Sequence, residues 1–71
     1  MIGHREAYEL TPRERQLVQL LANGMTANQI AIELHLAPGT VKSHLKLARH
    51  RLNALNSVHL AVIALRRGDV T

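Results

Sequence analysis

The stretch APGTVKSHLKLARHRL, residues 37 to 52, carries Lys42, His44, Lys46, Arg49, His50 and Arg51, with no acid among them. Side chains of this kind bind anions. Ammonium and guanidinium groups neutralise phosphates, and they can also donate to guanine O6 and N7. The groups that bond-making chemistry needs are missing. The chain has no cysteine, no glycine-rich phosphate loop, and no paired carboxylates near a histidine. Ser43 and His44 are adjacent, so on a helix they point in different directions and cannot act as nucleophile and base. The five histidines include no pair three or four apart, so no metal site is expected. We expect neither an enzyme nor a cofactor.

Charge is unevenly spread along the chain. Residues 1–35 hold three arginines against Glu6, Glu9, Glu14 and Glu33, whereas residues 36–71 hold six lysines and arginines against Asp69 alone. A polyanionic partner for the second half follows from that asymmetry. No apolar run approaches the roughly 20 residues of a membrane-spanning helix, and MIGHREAYEL lacks the apolar segment of a signal peptide. The expectation is a cytoplasmic, nucleoid-associated protein with no membrane partner. Seventy-one residues make one domain at most, and the 46% apolar content suffices for a core. That core is almost purely aliphatic, because Tyr8 is the one aromatic residue. A domain this small is marginal alone and gains from oligomerisation.

The elements that must position the basic stretch can be read from caps and periodicity. Residues 1–9 show no pattern and are expected to form an arm. Thr11, Pro12 and Glu14 make a capping box with proline at the first helical position. Leu17, Val18, Leu20 and Leu21 then form a stripe, and Gly24 can end the helix. Thr26 and Gln29 start a second helix, about residues 26–34, with Met25 and Ile30 as a staple and Ile30, Ala31 and Leu34 inward. Pro38 breaks it and opens helix three, whose Val41, Leu45, Ala48 and Leu52 recur at helical spacing. That stripe leaves Lys42, Ser43, Lys46 and Leu47 outward, with Thr40, His44, Arg49 and His50 on the flanks. Asn53 can take the turn after it, Asn56 can cap helix four with Leu55 and Leu60 as a staple, and Gly68 can end it. The fold class is all-α with four helices.

Two helices joined by a tight turn, the second basic on its outer side, form a helix-turn-helix. At this point the sequence resembles a known family. LTPRE, LLANGMTANQIA, TVKSH and AVIALRRG stand in the order and spacing of the DNA-binding domain of LuxR/FixJ-type transcription regulators. The resemblance covers about residues 10–68, with 69–71 as a tail. It implies that helix three reads the major groove of double-stranded DNA and that helix four forms a two-fold dimer. Carried over by position, Lys42, Ser43 and Lys46 face bases or nearby phosphates. Thr40 and His44 contact the backbone, as does Asn28 at the start of helix two, while Thr26 both caps and contacts. Arg49 and His50 are divided between phosphate contact and plain solvation. Leu47, apolar on a polar face, suits either a thymine methyl or a protein contact. Members usually carry a serine-like cap where Ala37 stands and a glycine where Asn53 stands. They usually also carry a receiver or ligand-binding domain ahead of this one; about nine residues precede it here, so a stand-alone domain is expected.

Helix four has more apolar surface than one stripe needs. The expectation is that Val58, Ala61, Val62 and Leu65 face inward, leaving Leu60, Ile63, Ala64 and Arg67 as the dimer interface. The function expected is a homodimeric, sequence-specific transcription regulator acting at an inverted repeat. The alternative is an interaction module that pairs through helix four with RNA polymerase or other regulators and has no specific site of its own.

Overall fold

The computed structural model describes residues 9–71, so nearly all of the expected arm lies outside the described residues. The described residues form α1 (Pro12–Ala22), α2 (Ala27–Leu34), α3 (Pro38–Arg51) and α4 (Ser57–Arg67). Each helix starts where a side chain can accept from its first turn, with one exception. Thr11 accepts from the Glu14 N–H at 3.1 Å, and the Glu14 carboxylate accepts from the Thr11 N–H at 2.8 Å. Thr26 and Gln29 repeat that exchange at 3.2 and 2.8 Å. Asn56 accepts from the His59 N–H at 2.9 Å, and the Leu55 N–H donates to His59 Nδ1 at 3.0 Å. His59 thus reaches back as the acid or amide of a capping box does, but to the N–H of the residue before the cap. At α3 the cap position is Ala37, which offers no side-chain acceptor.

All four helices end alike. Gly24, His35, Asn53 and Gly68 adopt positive φ. After each, the next N–H reaches back to the carbonyl five residues earlier, at Leu20, Ala31, Arg49 and Ala64 respectively. This is the Schellman closure. Glycine enters that backbone region freely; His35 and Asn53 do so at some conformational cost.

The core is one cluster. Leu10, Leu17, Val18, Ile30, Ala31, Val41, Leu45, Ala48, Leu52, Leu60, Ala64 and Val70 are buried in it. The stripes expected on α1, α2 and α3 all turn inward, with Leu20, Leu21 and Leu34 partly buried at the edge. Helix four does not follow expectation. Leu60 and Ala64 have no exposed surface and Ile63 packs against the cluster, whereas Val58, Val62 and Leu65 are exposed. The two apolar stripes have exchanged places. Leu55 is 82% exposed, so it makes no staple with Leu60.

The reason lies partly beyond the helix. Gly68 turns the chain back, and Val70 enters the core. Gln19 then holds Thr71 by two bonds, accepting from its N–H at 2.9 Å and donating to its carbonyl at 2.7 Å. Residues 69–71, expected to be a tail, are part of the domain's packing.

Candidate nucleic-acid interface

Helix three is fixed by its core stripe and by one ion pair. Arg51, at its last turn, aims its Nε at both oxygens of Glu14, at 2.9 and 3.0 Å. Glu14 is only 2% exposed. A carboxylate buried that far is costly without a cation and hydrogen bonds. Here it receives the Thr11 N–H on one side and the arginine on the other. The pair ties the start of α1 to the end of α3, and it turns Arg51 away from the outward cationic set. Nothing in the local pattern of α3 marks Arg51 as different from Arg49. Only Glu14, with a second oxygen left over from its capping box, hints at a distant partner.

What remains outward has two unlike flanks. On one, Lys42, Lys46 and Arg49 line a shallow groove with Leu45, Ala27 at the start of α2 and Ser57 at the start of α4. Helix N-termini carry partial positive charge from unpaired amides. Three cations and two helix starts therefore share one surface. Among the described residues, none of the three has a carboxylate partner. Lys42 and Lys46 are exposed and Arg49 is half-buried. Ser57 went unnoticed in the sequence, because its nearness to Arg49 depends on how the turn at Asn53 folds back.

The other flank carries no lysine, arginine or carboxylate. There Thr40, Ser43, His44 and Leu47 surround a shallow depression with Ala37 and Gly39. Thr40, Ser43 and Leu47 are exposed, and His44 is half-buried. Gly39 leaves open space where a side chain would stand. His50, exposed, lies toward the far end of α3 beside Arg49, Asn53, Ala54 and Leu55. Thr26 and Asn28 are exposed at the start of α2. Thr26 is occupied as a cap, which leaves its hydroxyl proton to donate. The expected binding residues thus stand at the start of α2 and along α3, where they divide between two flanks.

The expected dimer residues do not form a surface. Leu60 and Ala64 are fully buried within the chain itself, and Ile63 packs against the core. Arg67 pairs with Asp69 at 3.1 Å. The apolar surface that α4 does present is Val58, Ala61, Val62 and Leu65, forming a groove with Leu21 and Ala22 of α1. No helix among the described residues is long and apolar enough to cross a membrane.

With this geometry, comparison with known proteins is decisive. Residues 8–64 match the family model described as bacterial regulatory proteins, luxR family. The chain belongs to the luxR family. Its four-helix fold is the luxR-type helix-turn-helix domain. It is 38% identical over 64 residues to the transcriptional regulatory protein YvfU of Bacillus subtilis, covering 90% of this chain and 32% of that protein. Over 57 residues it is 37% identical to the transcriptional activator protein BjaR1 of Bradyrhizobium diazoefficiens, covering 80% of this chain and 24% of that one. Over 52 residues it is 46% identical to the transcriptional regulatory protein UhpA of Escherichia coli, covering 73% of this chain and 26% of that one. The luxR-type chain described here spans about a third or less of each of these relatives.

Proposed function

We propose that this chain binds double-stranded DNA as a homodimer at an inverted repeat and so regulates transcription. The observation that carries the reading is the acid-free outer face of α3, where Lys42, Lys46 and Arg49 stand without carboxylate partners beside two helix starts. A surface of that charge is matched by a phosphate backbone, and a protruding helix by the roughly 12 Å major groove. Lys42, Ser43 and Lys46 face base edges or nearby phosphates. Thr40, His44, Arg49 and His50 contact the backbone from the flanks of α3, and Thr26 and Asn28 do so from α2. The dimer forms through the outward face of α4, at Val58, Val62 and Leu65, because an exposed apolar stripe on a small domain is stabilised by a self-complementary copy.

Selection of genomic fragments by the purified protein at near-physiological salt, followed by sequencing, tests this. The expected result is an enriched inverted repeat with half-sites about one helical turn apart. Equal recovery of all sequences would overturn it.

The same exposed face of α4 favours a second reading, in which it pairs with RNA polymerase or another regulator and no specific site is read. Charge reversal at Lys42 and Lys46 separates the two. It abolishes regulation under the first reading and leaves it intact under the second, whereas Val62→Glu is damaging under both.

A further inference from the structure

We infer that Leu47 is a specificity-determining residue, which selects a thymine by burying its C5 methyl group. The inference rests on the DNA-binding reading and deepens it. Leu47 is 53% exposed on α3, one turn after Ser43 and one residue after Lys46. At about 100° of arc per residue, it lies on the outer half of the helix, beside Ser43. It is not needed by the core, whose α3 stripe is complete in Val41, Leu45, Ala48 and Leu52.

The surroundings say what it can meet. Its flank carries no lysine, arginine or carboxylate, and is lined by Gly39, Thr40, Ser43 and His44. The cations stand on the opposite flank, with the helix starts of α2 and α4. The flank with phosphate-binding chemistry and the flank with Leu47 are therefore different surfaces of one helix. With α3 in the major groove, Leu47 reaches base edges from a surface that has no strong donor of its own. Of the groups displayed there, the thymine methyl is the apolar one. Ser43 and Gly39 are small, which lets the neighbouring backbone come close enough for a branched side chain to touch it. A cytosine in the same place would leave Leu47 against a polar edge with its apolar surface unpaired.

The test changes the DNA first, and its one variant alters an exposed side chain outside the core. Within the selected inverted repeat, each thymine is replaced by uracil in turn, which removes one methyl and keeps the pairing. Binding is read by fluorescence anisotropy for the wild-type protein and for Leu47→Ala. At one position in each half-site we expect uracil to weaken wild-type binding about three- to ten-fold. There Leu47→Ala binds thymine and uracil duplexes equally, near the wild type's uracil affinity. 5-Methylcytosine at that position recovers part of the methyl contribution relative to cytosine for the wild type only. The inference is overturned if no uracil substitution is felt, or if Leu47→Ala feels it as the wild type does. It is also overturned if the half-site contains no thymine. Those outcomes leave a specific site in place; absence of any specific site overturns the DNA-binding reading as well.

Discussion

At the level of single residues, Lys46 and Arg51 show how the same charge type is put to opposite uses. Lys46 is exposed and unpaired, so its replacement changes binding and leaves the fold alone. We expect Lys46→Ala to weaken specific binding by about 1–3 kcal/mol if it donates to a base, read as loss at one sequence position. If it meets a phosphate, affinity falls for all sequences together and the salt slope shrinks by about one. Unchanged affinity in both assays would remove Lys46 from the interface. Arg51 is committed inward. Arg51→Ala leaves the buried Glu14 carboxylate with only the capping-box donor. A loss of about 1–3 kcal/mol in urea unfolding is expected, somewhat below the cost of breaking a fully buried pair because Arg51 itself is about a third exposed. Stability equal to the wild type would mean that Glu14 is satisfied without it.

Among the elements, the recognition helix is the one that begins without a side-chain cap. Ala37 already has extended backbone, φ −69° and ψ 142°, which a capping serine also adopts. Ala37→Ser should therefore stabilise the domain by about 0.5–1 kcal/mol, seen as a higher urea midpoint at constant slope. A lower midpoint would refute this. The caps of α1, α2 and α4 and the stops at Gly24, Asn53 and Gly68 were legible in sequence because they depend on neighbours three to five residues away; the left-handed stop at His35 was not, since Pro38 is the louder breaker there. The buried stripes of α1, α2 and α3 were legible for a similar reason: polar residues interrupt them on the outer side. Helix four was not, since Val58 and the run Leu60–Leu65 are all apolar and periodicity cannot choose between stripes. What fixes its phase is the fit against α1 together with Val70, which enters from beyond Gly68. The Glu14–Arg51 pair was equally invisible, because it joins residues 37 apart. In the candidate site, the outward set on α3 was readable from its own periodicity. The approach of Ser57 to Arg49 was not, for it depends on the turn between helices.

The molecule as a whole carries two surfaces of different chemistry, the cationic groove along α3 and the apolar face of α4, which meet at Ser57. Val62→Glu places a charge on the outer face of α4, where it costs the monomer little; Leu60→Glu places one in the core. Sedimentation and circular dichroism should separate them: Val62→Glu stays helical and shifts to monomer, while Leu60→Glu loses the fold. A Val62→Glu protein that dimerises like the wild type would move the two-fold contact elsewhere. With three groove-lining cations per copy, binding by a dimer should fall steeply with salt, with a logarithmic slope of about −5. A flat salt response would argue against phosphate contact by Lys42, Lys46 and Arg49.

The closure of the core by Val70 and the hold of Gln19 on Thr71 also set an order in time. Gln19 waits 52 residues for the backbone it grips, whereas α2 and α3 meet as soon as both are made. During synthesis the chain carries a helix-turn-helix with an open flank until translation has passed Thr71. A chain ended at Gly68 lacks both Val70 in the core and the backbone that Gln19 grips, so it should unfold at a lower urea concentration than one that reaches Thr71.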